Sequence, residues 1–168
     1  MKILSLDLST KSSGWAIFND NKLESYGCIT ASSTDLIKRI QKITNELNEI
    51  IKNNLPIDKI VVEEVRPEGR GYGVGNLQTH RALMWLQASI AFILHDNYNS
   101  ELTYIYPSSW RAACGIHTGR GITRTALKPK DIEFVKNKFN IDVNDDIADA
   151  IGIGFSQLKE EENKINWD

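Results

Sequence analysis

Four acidic residues occupy positions at which the surrounding sequence predicts buried, apolar structure. Asp7 lies within the strand-like segment ILSLDL, and Glu63 lies within KIVVEEV. Acids are depleted from strands, and a buried carboxylate without a partner costs several kcal/mol. Asp146 and Asp149 belong to DDIADAIGIG and are spaced so that both carboxylates share one face of a helix. These four acids are therefore candidates for a shared site.

Each of these acids also has a structural explanation. A carboxylate at the end of a strand can reach solvent or pair with a lysine, and an acid in the first turn of a helix favours the helix dipole. Asp145 is predicted to cap the last helix in this way. Capping does not explain Asp149, which lies one turn deeper beside Ile147 and Ala150.

Convergence of the four carboxylates would require divalent cations. Two like charges about 4 Å apart repel by about 4 kcal/mol at an effective dielectric constant of about 20. Ligands that are all oxygen favour Mg²⁺ or Mn²⁺. Two such ions about 3.5–4 Å apart are used to hydrolyse phosphodiesters, one activating water and the other stabilising the leaving oxygen. We therefore expect two Mg²⁺ or Mn²⁺ ions at a catalytic site formed by Asp7, Glu63, Asp146 and Asp149.

Five strands and five helices are predicted to position these acids. Tight turns make the first three strands an antiparallel meander, and the fourth strand, reached after a helix, is predicted to run parallel to the first. The expected fold is α/β, a mixed five-stranded sheet with helices on both faces. The predicted strands are 3–8, 14–18, 22–29, 59–65 and 102–106. The first predicted helix has an apolar stripe from Leu36 to Ile50 and is capped by Ser33 or Thr34. The other predicted helices are 77–96, a short helix from Pro107, 130–139 and 145–159.

Length and composition indicate one soluble domain. The 168 residues are 41% hydrophobic and 25% charged, with a net charge of −2, and one core suffices for this length. We expect a single domain over 1–160 and a charged tail over 161–168. No apolar run approaches the ~20 residues that cross a bilayer, so no membrane contact is expected. Two cysteines without a CxxC motif indicate a reducing compartment, and a cytoplasmic location is expected.

The order of the acidic motifs resembles that of a known nuclease family. ILSLDLSTKSSGWAIF, VVEEV and DDIADAIGIG, on a β-β-β-α-β-α-β-α frame, resemble the RuvC branch of the RNase H-like superfamily, in particular phage-encoded Holliday junction resolvases, over residues 1–158. The resemblance implies that Asp7 is the first-strand acid, Glu63 the fourth-strand acid, and Asp146 with Asp149 the D-x-x-D-A pair. It implies a homodimer that uses Mg²⁺ or Mn²⁺ to nick four-way DNA junctions in pairs, in a bacterial or phage-infected cytoplasm.

Helix 77–96 is the segment through which the resemblance implies dimerisation. Its second half, Leu86 to Leu94, is apolar nearly all round, which on its own indicates either deep burial or an oligomer contact.

Basic and aromatic residues are predicted to contact DNA. Lys128 resembles the family's lysine near the active site, which would stabilise charge on the scissile phosphate. Cations before the last helix and in the glycine-rich loop PEGRGYGVGN would contact phosphates, and an aromatic residue in that loop could stack on an unpaired base. The predicted DNA-binding residues are Arg66, Arg70, Tyr72, His80, Arg111, Arg120, Arg124 and Lys130.

Other functions fit parts of the same pattern. A related RNase H-like nuclease acting on RNA, as in ribosomal RNA processing, or a broader debranching nuclease would carry similar acids. A non-catalytic DNA-binding module is disfavoured, because binding alone does not need four converging acids. DLSTKSSG also resembles the phosphate loop of actin-like sugar kinases, but a chain of this length is too short for their two domains.

Overall fold

The computed structural model describes residues 1–65, 74–97, 100–119 and 122–165. It contains five strands and five helices over that part of the chain. The strands are β1 (Lys2–Asp7), β2 (Ser12–Asn19), β3 (Lys22–Thr30), β4 (Lys59–Glu63) and β5 (Glu101–Ile105). The helices are α1 (Leu36–Asn53), α2 (Val74–Asn97), α3 (Pro107–Ala113), α4 (Arg124–Phe139) and α5 (Asp145–Ile165).

The strands form one mixed sheet in the order β3-β2-β1-β4-β5. β1 is antiparallel to β2 and parallel to β4, and β4 is parallel to β5. The meander and the parallel fourth strand confirm the predicted sheet. Because parallel strands end at the same edge of a sheet, the carboxyl ends of β1 and β4 lie side by side.

Strand alternation divides the core between the two faces of the sheet. Leu4 and Leu6 of β1 pack with buried residues of α1 and α2 on one face. Ile3 of β1 and Val61 of β4 pack with buried residues of α3, α4 and α5 on the other. Successive side chains of a strand point to opposite faces, so Asp7 and Glu63 share the face covered by α5.

The starts of two helices differ from the predictions. Asp35, and not Ser33 or Thr34, caps α1: its Oδ1 accepts hydrogen bonds from the backbone N–H groups of Ile37 at 2.8 Å and Lys38 at 3.4 Å. α4 begins at Arg124, six residues before the predicted start at 130. Both outcomes depend on which side-chain oxygen reaches the free N–H groups of the first turn.

Pro129 lies inside α4 and does not precede it. Thr123 caps this helix by accepting a hydrogen bond from Ala126 N at 3.3 Å. α5 continues to Ile165, beyond the predicted end at 159, through a run of Lys and Glu residues that have high helix propensity. Within the described ranges, no helix has both the length and the apolar character to span a membrane.

Candidate active site

Asp7 and Glu63 end two neighbouring parallel strands. Asp7 is 8% exposed, so its carboxylate is largely withdrawn from water. The carboxylate of Glu63 accepts a hydrogen bond from Trp110 Nε1 at 2.7 Å, and the Trp110 side chain is fully buried. A buried indole N–H requires an acceptor, so this contact holds the Glu63 side chain against α3.

α5 packs closely against the strands that carry Asp7. Gly14 is opposite Asp7 in the β1–β2 register, and a Cβ atom at Gly14 would lie only 1.9 Å from the backbone oxygen of Asp146. The buried hydroxyl of Ser5 donates to the Ala150 carbonyl oxygen at 2.7 Å. Glycine at position 14 thus allows the first turn of α5 to reach the edge of the sheet where Asp7 lies.

The side chain of Asp146 turns toward β2 and β3. Its carboxylate accepts a short hydrogen bond from the Ser12 hydroxyl, which also lies 3.0 Å from the sulfur of Cys28. Burial raises the pKa of the Cys28 thiol, and the charges of Asp146 and Asp7 raise it further. Asp146 and Asp7 therefore both lie within electrostatic range of the same thiol.

Asp149 is more deeply buried than Asp145 and Asp146, the other acids at the start of α5. It is 5% exposed, its Oδ2 accepts from Arg111 Nη2 at 3.3 Å, and its buried Oδ1 has no hydrogen-bond partner among the described residues. Burial first, and the charge of Asp7 second, raise the pKa of Asp149 to about 9; Arg111 opposes this shift, while Asp131 and Glu63 add to it. Asp149 therefore lies within the fields of both strand acids.

Comparison with known proteins identifies the fold. No protein-family model and no curated protein matches the chain. Thermus thermophilus RuvC in complex with a Holliday junction substrate is similar, with a TM-score of 0.74 and 12% identity, over 96% of this chain and 95% of that one. A further T. thermophilus RuvC structure gives a TM-score of 0.72 at 12% identity, over 98% and 97% of the two chains. The chain has the RuvC fold.

A more distant structure shares this fold. The yeast mitochondrial Holliday junction resolvase Ydc2 gives a TM-score of 0.56 at 13% identity, over 96% of this chain and 80% of that one. The RuvC fold and the five-stranded mixed sheet confirm the predicted fold. A fold does not determine an activity, so the functional argument rests on the residues of the site.

Within this RuvC fold, Arg111 differs from its prediction as a DNA-binding residue. Its side chain is 7% exposed, and it pairs with Asp131, whose side chain is fully buried. Arg111 Nε donates to both carboxylate oxygens of Asp131, at 3.1 and 3.0 Å, and Nη2 donates to Oδ2 at 2.8 Å. The guanidinium is thus a buried counterion between Asp131 and Asp149, not a surface cation that faces phosphates.

Lys128 and Asp145 pair at the rim of the same site. Their side chains form an ion pair while remaining 42% and 32% exposed, and the hydrogen bond from Lys128 lowers the pKa of Asp145. The prediction that Asp145 caps α5 is wrong, because Oδ1 of Asn144 accepts the hydrogen bond from Ile147 N at 2.9 Å. Lys128 therefore lies beside the residue that precedes Asp146.

The other predicted DNA contacts remain predictions. Lys130 is exposed on α4, and His80 is half-buried on α2. Four predicted residues lie outside the described residues: Arg66, Arg70, Tyr72 and Arg120. For Arg124, the structure describes the backbone but not the side chain.

Three contacts of the acids were missed by the sequence analysis: Ser12 with Asp146, Trp110 with Glu63, and Arg111 with Asp149. Of these, only the contacts of Arg111 could have been predicted from the sequence, through its other partner, Asp131. Asp131 lies at four-residue spacing between Leu127 and Val135, both of which pack in the core. A lone acid on an apolar helix stripe requires a buried partner.

The donor set fits a hard divalent cation, although the acids are turned toward separate partners. No three Asp, Glu, His or Cys side chains of the described residues lie close enough together to hold one ion. The available ligands are all carboxylates, and the buried, unpartnered Oδ1 of Asp149 supplies an oxygen without a donor. Carboxylate oxygens of this kind are the ligands Mg²⁺ and Mn²⁺ prefer.

Proposed function

We propose that this protein is a structure-specific DNA endonuclease that cuts four-way junctions by metal-dependent phosphodiester hydrolysis. The observation that carries the proposal is the burial of Asp149, whose Oδ1 has no hydrogen-bond partner among the described residues; burial and the charges of Asp7 and Glu63 also raise its pKa. A clustering of carboxylates that raises the pKa of one member is relieved when a cation binds. The RuvC fold of the chain supports the same activity.

Asp7, Glu63, Asp146 and Asp149 are the proposed ligands of two Mg²⁺ or Mn²⁺ ions. Bound ions of this type activate water and stabilise the leaving oxygen. Glu63 would turn from Trp110, and Asp146 from Ser12, to reach a shared ion. Asp149 would lose its proton, with Arg111 holding Oδ2 and leaving Oδ1 for the metal.

Lys128 is the proposed cation at the scissile phosphate. Its pairing with Asp145 keeps the ammonium at the rim of the site, next to the start of α5. A phosphate entering there would compete with Asp145 for the ammonium and place positive charge where negative charge develops.

The proposed substrate is branched DNA, cut by a homodimer. T. thermophilus RuvC is described in complex with a Holliday junction substrate. α2 buries Leu86 and Ile90 in the core but leaves Trp85 and Phe92 44% and 70% exposed. Large exposed apolar side chains on one helix mark an interaction surface, and pairing of two copies through α2 would give two active sites for paired nicks.

The test compares the wild type with Asp7→Asn on a four-way DNA junction, a linear duplex, a three-way branch and an RNA of matched length, in Mg²⁺, Mn²⁺ or EDTA. Asp20→Asn is the matched control, because Asp20 is 79% exposed in the turn at the opposite end of the sheet. We expect paired, metal-dependent nicks in the junction from the wild type and the control, and at least a hundredfold loss in Asp7→Asn.

Other outcomes contradict the proposal. Cutting of RNA alone would favour a nuclease related to ribosomal RNA processing. Equal cutting of four-way junctions and three-way branches would replace the proposal by a general debranching nuclease. Junction binding without cutting in either metal would indicate a non-catalytic module.

A further inference from the structure

A basic cleft lies beside the loop that follows Asp7, on the α1 and α2 side of the sheet. It has a volume of about 430 Å³ and lies between the β1–β2 loop, the start of α1 and the first turns of α2. Three cationic residues, Lys11, Arg39 and Arg81, line it, and none of its described lining residues is acidic. The concentration of positive charge in one concave surface favours an anionic ligand.

Among the described residues, no carboxylate pairs with any of these three cations. The guanidinium of Arg39 donates to the carbonyl oxygens of Thr10 at 3.1 Å, Ser33 at 2.7 Å and Thr34 at 3.1 Å, which are neutral acceptors. The guanidinium of Arg81 lies 5.2 Å from the centre of the Trp85 ring. Within the described residues, neither these arginines nor Lys11 forms an ion pair with an acid.

The loop that forms one wall of the cleft is held in place by hydrogen bonds. Ser9 N donates to Ser13 Oγ at 3.0 Å, and Ser13 Oγ donates back to the Ser9 carbonyl oxygen at 2.7 Å. The carbonyl oxygen of Lys11 accepts from Ala31 N at 2.8 Å. A wall that is ordered before the ligand arrives lowers the entropic cost of binding.

The cleft begins close to the candidate active site. Ser9, which lines it, follows Asp7 by two residues, and two residues of chain span at most about 7 Å. A DNA strand carries one phosphate for about every 3.4 Å of helix axis. The Asp7 side chain lies on the opposite face of the sheet, so a strand with its scissile phosphate at Asp7 would bring its next phosphates to this cleft by passing over the end of the sheet.

We propose that this cleft binds a backbone phosphate of the cleaved DNA strand, one or a few nucleotides from the scissile bond. Lys11, Arg39 and Arg81 supply the charge, and the hydroxyl groups of Ser9, Thr10 and Thr79 supply donors. None of the contacts reads a base, so the cleft contributes affinity and position without sequence preference. The inference rests on the proposed function, since it assumes a DNA strand at Asp7.

The experiment measures binding of a four-way junction with Ca²⁺ in place of Mg²⁺ across a salt series, for the wild type, Lys11→Ala and Arg81→Ala. Lys22→Ala is the control, because Lys22 begins β3 at the opposite end of the sheet. Arg39 is left intact because its guanidinium supports three backbone carbonyls. Removal of one phosphate contact lowers the slope of log K against log salt by about 0.9.

We expect each cleft variant to lose about one unit of slope and several-fold in affinity, with an unchanged melting temperature, and the control to match the wild type. In cleavage assays with Mg²⁺, the KM of each cleft variant should rise several-fold while kcat changes by less than twofold.

Failure of the cleft assignment and failure of the nuclease proposal give different results. If the wild type binds and cuts the junction and the cleft variants keep its slope and KM, the cleft assignment is overturned and the nuclease proposal stands. If the wild type binds no DNA, both are overturned. If inorganic phosphate at constant ionic strength stabilises the wild type but does not weaken junction binding, the cleft is a site for free phosphate and its assignment to DNA is wrong.

Discussion

Arg111 Nη2 lies 3.3 Å from Oδ2 of Asp149, and the same guanidinium is held in bidentate contact by Asp131. The three groups come from α3, α4 and α5, so one buried cation joins all three helices on this face of the sheet. A bidentate guanidinium–carboxylate pair has a defined geometry. The pair formed with Asp131 therefore sets the position of the guanidinium that meets Asp149.

Removal of Arg111 should strongly destabilise the fold. Arg111→Ala leaves Asp131, which is fully buried, without a counterion. Breaking a buried ion pair from one side costs about 3–5 kcal/mol, which urea unfolding will measure. Lys130→Ala, an exposed change on the helix that carries Asp131, should stay within about 0.5 kcal/mol of the wild type.

The double variant Arg111→Met with Asp131→Leu tests whether the cost comes from the unpaired charge. Replacing both partners of a buried pair by apolar residues is often neutral, so most of the lost stability should return. A single variant that loses less than about 1 kcal/mol would show that the pair does not have the buried character described.

Asp149 should make stability fall as pH rises, in the absence of divalent ions. In the unfolded chain its carboxyl loses a proton near the ordinary value of 3.8, whereas in the folded protein its pKa is about 9. Between these values the folded state binds more protons than the unfolded state, so the free energy of unfolding falls with pH, by up to about 1.4 kcal/mol per unit.

Asp149→Asn removes this proton difference. Urea unfolding in EDTA at several values between pH 5 and 8 should give a less negative slope of stability against pH for the variant than for the wild type. Ionisable groups that do not interact with Asp149 contribute equally to both proteins and cancel in the comparison. Identical slopes would mean that Asp149 is ionised in the folded state.

Gly14→Ala should displace the start of α5. The added methyl group would lie 1.9 Å from the backbone oxygen of Asp146, and backbone cannot rotate away as a side chain can. Overpacking typically costs about 1–3 kcal/mol. Both thermal stability and the thermal shift caused by Mn²⁺ should therefore decrease.

Gly154→Ala is the control for overpacking alone. Its Cβ would lie 2.4 Å from Cε2 of Phe18, further along α5 from the acids. This variant should lose stability but keep the Mn²⁺ response. If Gly14→Ala also keeps the full response, the close approach at Gly14 is not needed to assemble the acids.

Divalent ions should stabilise the protein through Glu63. A ligand that binds only the folded state adds about 2.7 kcal/mol at a concentration of 100 Kd, so Mg²⁺ or Mn²⁺ should raise the Tm of the wild type. Glu63→Gln should reduce the rise measured by calorimetry. Glu101→Gln is the control, because Glu101 lies at the opposite end of β5 and its side chain is 69% exposed; this variant should retain the full rise in Tm. An equal rise in the wild type, Glu63→Gln and Glu101→Gln would count against a shared metal site.

Phe92 should be needed for self-association. This side chain is 70% exposed on α2, and an aspartate there would place a charge in an apolar contact. Sedimentation should show a dimer for the wild type and a monomer with an unchanged far-ultraviolet spectrum for Phe92→Asp. Ile37→Asp changes a residue that is 51% exposed on α1 and should remain dimeric; a monomeric wild type would contradict the proposed dimer.

The amino-acid sequence by itself determined the sheet and the side of it on which the strand acids lie. Strand alternation has a period of two, so Asp7 and Glu63 can be assigned to one face from their apolar neighbours alone. The parallel pairing of β1 and β4 follows from the helix that separates them in the chain. These properties depend on local patterns and on connectivity, which a sequence displays directly.

Only the tertiary structure decided what each acid contacts. Arg111 reads as one more surface cation in a basic stretch, yet its partners lie 20 and 38 residues away in the chain. Ser12 reaches Asp146 across 134 residues, and no periodicity marks that pairing. Hydrogen bonds and ion pairs form between whichever groups the packing of α3, α4 and α5 brings within about 3 Å, and that packing is a property of the whole chain.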